Sequence, residues 1–206
     1  MTQRKRIDIA IDLETLSTSR EHLPAVVEIG AVVFDRSLPA DECVTAFVTA
    51  NTVPSMAEAG GYSDQATRDC LADERPILSA GGNYNCNGPW EMLWRLSAWL
   101  ESVDARSPDD ATWWAWGAEF DMRILQGLVE RAGVAGDFPI HYRHVRDART
   151  YCTELSEQFG IVLPKQDPDT KHHAVKDAAH CARLVTGVTQ SMEVIREMAE
   201  SREVVA

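Results

Sequence analysis

The segment RIDIAIDLETLST, residues 6–18, sets two acids beside one of the most apolar runs in the chain. On a strand, alternate side chains share a face, so Ile7, Ile9, Ile11 and Leu13 point one way. Asp12 and Glu14 then point the other way, as near neighbours. Two like charges that close raise each other's pKa unless something positive lies between them. Two readings follow: a half-exposed edge strand whose carboxylates are solvated, or a metal site.

Bulk properties narrow the choice of class. The 206 residues fit one α/β domain, with a core over 6–188, a variable loop or lid over 51–89 and a C-terminal helix or tail over 189–206. An apolar share of 45% and a charged share of 25% suit a globular protein. There is no run of about 18 apolar residues, so no membrane span is expected. The N-terminus carries basic residues but no apolar signal core. Five cysteines, odd in number and without a CxxC, suit a reducing cytoplasm and argue against a disulfide framework or a thiolate zinc site. The net charge of −12 runs against long nucleic-acid grips, which show a basic stripe. A nucleic-acid enzyme of this charge should hold a few nucleotides at an end, with metal ions supplying positive charge. Two divalent cations would still leave it at −8.

Residues 6–13 read as a first strand. AVVEIGAVVFD (25–35), nearly continuous and β-branched, reads as a central strand, and CVTAFVTA (43–50) as a third, antiparallel to the second. A short helix is expected around 64–72, followed by the loop AGGNYNCNGP. PWEMLWRLSAWLESV (89–103) is amphipathic, with Pro89 suited to a first turn. TWWAW (112–116) reads as a strand, with its tryptophans as core and cleft wall. EFDMRILQGLVERAG (119–133) reads as a helix stopped at Gly133. DARTYCTELSEQFG (147–160) is a helix with Asp147 as N-cap, HAVKDAAHCARLVTGV (173–188) is the next, and 189–203 continue as a terminal helix with an apolar edge at Met192, Ile195 and Met198.

Two more acids sit where acids are costly. Asp121 falls on the stripe of Ile124, Leu125 and Leu128, just past the carboxyl end of the 112–116 strand, where open α/β folds place ligands. Asp177 falls on or beside the packed face shared by Cys181 and Leu184. A buried carboxylate needs a charged partner or a metal. His172 lies five residues before Asp177, about 140° around an ideal helix, so it belongs in the loop entering the helix, with both aimed into one cleft. Hard oxygen donors without clustered cysteine or histidine favour Mg²⁺ or Mn²⁺ over zinc. HYRH (141–144) reads as a solvated segment rather than a metal site.

Asp12-Leu13-Glu14, Phe120-Asp121 and HHAVKDA (172–178) resemble, in this order, the three motifs of the DEDDh subgroup of DnaQ-like 3′–5′ exonucleases. IDLETLST and VRDARTY resemble in particular the RNase T-like exoribonucleases and small phage exonucleases. The likeness spans residues 7 to about 186. It implies an RNase H-like mixed five-stranded sheet, with three antiparallel N-terminal strands and then alternating α and β, flanked by helices.

It also implies two metal ions, Mg²⁺ or Mn²⁺, held by Asp12, Glu14, Asp121 and Asp177. His172 would be general base, and the products nucleoside 5′-monophosphates from single-stranded RNA or DNA 3′ ends. Thr15, Leu16, Phe120 and Arg149 are candidate substrate contacts, Leu16 and Phe120 flanking the terminal base unless they are ordinary core. Many relatives have an asparagine where this chain has Gly117. A homodimer is common in such proteins. The alternatives are an RNase H-like endonuclease and a catalytically silent scaffold. Neither small-base-pocket motifs nor a complete acidic set favours them.

Overall fold

The computed structural model describes residues 6–74, 84–134 and 138–203. β1 (Ile7–Thr15) pairs antiparallel with β2 (Val26–Phe34), and β2 with β3 (Val44–Asn51). β4 (Ala111–Ala115) and β5 (Val145–Asp147) add in parallel on the far side of β1. The sheet order is β3-β2-β1-β4-β5, so the strand bearing Asp12 and Glu14 is its centre rather than an edge. The edge-strand reading of the opening segment therefore fails.

Alternation along β1 sorts the core into two layers. Ile9, Ile11 and Leu13 join Trp113 of β4 against α3 (Pro89–Ser102) and α4 (Ala118–Arg131). On the other face Ala10 joins Val32, Phe34 and Trp114 against α5 (Ala148–Phe159) and α6 (Ala174–Glu203). Trp113 and Trp114 are core, as their strand position required.

Helix ends follow the local chemistry. Pro89 opens α3, and the Asp147 carboxylate accepts from the Thr150 N–H at 2.8 Å to cap α5. Gly160, at φ 67°, ends α5 in the left-handed region. The helix expected around 64–72 is α2 (Gln65–Glu74). Two features escape the sequence pattern: α1 (Pro54–Ala57) is a single turn, and β5 holds only Val-Arg-Asp, too short and too charged to alternate. The segment after 188 is not a separate element, because α6 runs unbroken to Glu203. The first four residues of the AGGNYNCNGP loop, 80–83, lie outside the described residues, as does the stretch leading into it from 75.

α6 lies unusually close to the sheet. A Cβ on Gly30 would stand 2.1 Å from the carbonyl carbon of Ala174 and from the Val175 nitrogen. Gly30 is directly opposite Asp12 in the β1–β2 register. Only a residue without a side chain lets the start of α6 reach the strand that carries the acids.

Candidate active site

The even-numbered face of β1 brings Asp12 and Glu14 under the N-terminus of α6. One carboxylate oxygen from each of Asp12, Glu14 and Asp177 lies within 4.8 Å of the other two. Asp121 approaches from α4, one turn past the end of β4, and its Oδ1 accepts from the Leu13 backbone N–H at 3.2 Å. The four acids thus converge from β1, α4 and α6.

Their electrostatics are those of a site short of positive charge. Burial, and then the like charges of Asp121, Glu14, Asp177 and Glu28, push the Asp12 carboxyl well above its usual range. Burial pushes Asp121 up to about 7, against the pull of the Leu13 N–H. Three hard oxygen donors this close, with no thiolate or imidazole cluster among them, fit a divalent cation that prefers oxygen. A cation there would remove the repulsion that raises Asp12.

Asp177 is held from two sides. Its Oδ2 accepts from the His172 backbone N–H at 3.0 Å, and its Oδ1 from the Gln166 side-chain amide. His172 stands in the loop before α6, as its spacing required, at φ 57°. Its ring Nδ1 is 4.0 Å from Glu14 Oε2 and its side chain is 43% exposed, so the imidazole is open at the mouth of the acidic pocket. The α6 N–H groups of Lys176 and Asp177 both donate to the His173 carbonyl.

Glu28 and Gln166 are site residues that the sequence reading missed. Glu28 is buried on β2 opposite Glu14, and its oxygens accept from the Thr49 hydroxyl at 3.2 Å and the Ala174 N–H at 3.3 Å. It therefore joins β2, β3 and the first turn of α6. An acid within the otherwise apolar VVEIGAVVF was the available signal. Gln166 sits in an irregular loop, where no periodicity marks it.

The other sequence candidates divide. Leu16 is 2% exposed and packs with Ala25, Val27 and Ala57, and the Thr15 hydroxyl donates to the Ser17 carbonyl at 2.8 Å. Phe120 is partly exposed beside Asp121. Arg149 donates to the Trp116 carbonyl at 3.2 Å and lies over the Trp116 ring at 6.0 Å. Gly117 has φ 99°, a backbone conformation that strains any residue with a side chain, and a Cβ there would stand 3.2 Å from the movable end of Arg149. Asp147 is a cap: Oδ2 accepts from the Ala118 N–H at 2.6 Å, which ties the start of α4 to the start of α5.

Residues 7–189 match the family described as 3′-5′ exoribonuclease Rv2179c-like domain. The chain belongs to that family. It is a 3′–5′ exonuclease by that family, and its mixed α/β sheet is the fold of solved exonuclease domains.

Its fold recurs at low identity in solved nucleases. The nuclease domain of 3′hExo, a DEDDh family member bound to rAMP, aligns with a TM-score of 0.58 at 11% identity, over 91% of this chain and 94% of that one. Cell-death related nuclease 4 aligns at 0.61 and 11%, over 90% and 64%. The E. coli ExoI–ssDNA complex aligns at 0.63 and 12%, over 96% of this chain but only 43% of that one. No curated protein matches the sequence. Among the described residues of the Rv2179c-like chain, no helix is long and apolar enough to cross a membrane.

Proposed function

We propose that this exonuclease trims single-stranded RNA from its 3′ end with two divalent cations, Mg²⁺ or Mn²⁺, and releases nucleoside 5′-monophosphates. What supports the reading most is the set of three carboxylate oxygens within 4.8 Å, with a fourth acid against Asp12. The family description, an exoribonuclease, favours RNA over DNA.

Asp12, Glu14 and Asp177 would hold one cation, and Asp121 with Asp12 would hold the other. Bound there, the cations supply an acidified water and compensate the charge on the leaving 3′-oxygen. His172, open at the pocket mouth, accepts the proton of the water that attacks the last phosphorus. The phosphorus–oxygen bond to the penultimate 3′-oxygen breaks, leaving a shortened chain with a 3′-hydroxyl. Gln166 and the His172 N–H keep Asp177 aimed at the cation, as outer partners of a ligand do. Phe120 flanks the terminal base. Leu16, 2% exposed and enclosed by Ala25, Val27 and Ala57, is core and takes no part in holding the base. The apolar edge of Met192, Ile195 and Met198 on α6 is where two copies would meet in a homodimer.

The test is purified protein with Mg²⁺ or Mn²⁺ and 5′-labelled single-stranded RNA and DNA. A ladder shortening from the 3′ end, faster on RNA, is expected. Internal cuts would mark an endonuclease instead, and intact substrate a scaffold. His172→Ala should lose nearly all turnover and His173→Ala should keep it.

A further inference from the structure

The outer edge of the sheet gathers basic residues in a chain that is acidic as a whole. Residues 141–149, HYRHVRDAR, hold three arginines and two histidines against one acid, in a protein of net charge −12. That acid, Asp147, spends both oxygens on the Ala118 and Thr150 N–H groups. Elsewhere arginines pair with acids, as Arg36 does with Asp8, Arg95 with Glu91 and Arg196 with Glu200. Among the described residues Arg143 and Arg146 form no ion pair, Arg149 lies near enough to Asp147 and Asp121 to pull both carboxyls down, and His144 meets Asp109 at 3.0 Å.

An aromatic side chain completes the pattern. Tyr142 is 73% exposed, more than any other large aromatic among the described residues. The Arg143 guanidinium stands 5.6 Å from its ring centre, and the His141 ring 4.5 Å. Arginines interleaved with an exposed aromatic are what a single strand needs, phosphates for the one and a base face for the other. A groove of about 780 Å³ adjoins Tyr142, lined by Val145 and Asp147 on its side and by Glu119, Met122 and Arg123 of α4 on the other. α4 is the helix that brings Asp121 to the site.

We propose that this edge, from Arg149 through Arg146 to Arg143 and Tyr142, holds the single-stranded RNA lying 5′ of the bond to be cut. The inference rests on the exonuclease reading above. In that reading Asp121 serves the leaving 3′-oxygen, which belongs to the nucleotide upstream. The strand therefore departs on Asp121's side, where Arg149 lies over Trp116 at the end of β4.

Binding of a fluorescent 12-nucleotide RNA, its last linkage a phosphorothioate to slow consumption, tests it by anisotropy in Mg²⁺. Each phosphate contact on a single strand adds about 0.7 to the slope of log affinity against log salt. Arg143→Ala/Arg146→Ala should therefore flatten that slope by about 1.4. Between 50 and 200 mM salt its affinity should fall about sevenfold less than the wild type's does. Tyr142→Ala should weaken the 12-mer about tenfold through lost stacking. A dinucleotide, too short to reach the edge, should bind all three proteins alike.

Wild-type affinity and slope in the double variant would overturn the proposal, and would leave the arginines as guards of the open β5 edge. Equal weakening of the dinucleotide would also overturn it. Shortening of unmodified 12-mer by the wild type is read separately. If that fails while the affinity differences persist, the exonuclease reading falls and the RNA track stands.

Discussion

Asp8 and Asp12 stand on the same face of β1, four residues apart, and the fold treats them oppositely. Asp8 is 5% exposed and fully answered by the chain. Its Oδ2 accepts from Arg36 Nε at 2.9 Å and its Oδ1 from the Trp114 indole at 2.8 Å, with the guanidinium 5.7 Å over the indole ring. Around Asp12 the acting charges are those of Asp121, Glu14, Asp177 and Glu28, all of its own sign. A buried charge is stable only when something opposite meets it. At Asp8 the chain supplies that group. At Asp12 it supplies more acids, which makes sense only where a cation from outside completes the site and adds its binding energy to folding.

The sharpest separation is expected from paired substitutions. Asp12→Asn should lower turnover on single-stranded RNA by about 10³-fold, equivalent to roughly 4 kcal/mol of transition-state stabilisation. It should also raise the melting temperature of the metal-free protein, because one of several crowded carboxylates loses its charge. Asp8→Asn should do the reverse. It leaves Arg36 without its partner at a cost of about 2 kcal/mol, less than for a wholly buried pair because Arg36 is 36% exposed. Its turnover should stay within a few-fold of wild type. Thermal denaturation in EDTA and single-turnover rates on the two proteins check both halves. Melting shifts of the same sign would break the contrast between the two aspartates.

A smaller effect is expected from Gly30→Ala, which touches no acid. Its methyl group meets the backbone of Ala174 and Val175, which cannot rotate out of the way. α6 must lift, carrying Asp177 and His172 from Asp12 and Glu14 while leaving the Asp8–Arg36 pair intact. Displacement of about 1 Å at a reacting site costs on the order of 10²-fold in rate. Overpacking should also cost about 1–3 kcal/mol of stability. Turnover and Mn²⁺ titration of the variant report it, and a rate equal to wild type would show that the close approach of α6 does not set the position of Asp177.

The contrast also marks what was legible in the sequence. Strand alternation placed Asp12 and Glu14 on one face, helical spacing placed Asp121 on a buried stripe, and the five-residue gap put His172 in the loop before Asp177. Each is a local rule acting within one element. The rest required neighbours. β5 is three residues whose strand character comes from β4 alone, and α1 is a single turn fixed by packing. Leu16 reads equally well as a base contact or as core until Ala25, Val27 and Ala57 are seen around it. Glu28 and Gln166 matter through α6 and Asp177, residues 146 and 11 positions away, which no spacing rule connects.

The mildest test uses no substitution. Burial raises the carboxyl of Asp121 to about 7 and that of Asp12 well above the usual value, so the metal-free folded state binds these protons more tightly than the unfolded chain does. The stability they allow is present in full below the unfolded carboxylate range, near 4, and is lost as pH rises toward about 7. In EDTA the melting temperature should therefore fall between pH 5 and 7.5, on the order of 5 °C. Mg²⁺ or Mn²⁺ should restore it, and by more at pH 7.5, where no proton has to be displaced from the ligands. In Asp12→Asn both trends should shrink, because one titrating acid is gone and the others feel less repulsion. A melting temperature that climbed with pH in EDTA would mean that groups of the chain itself neutralise the cluster. Asp12 would then be a second Asp8, and the case for a cation there would be lost.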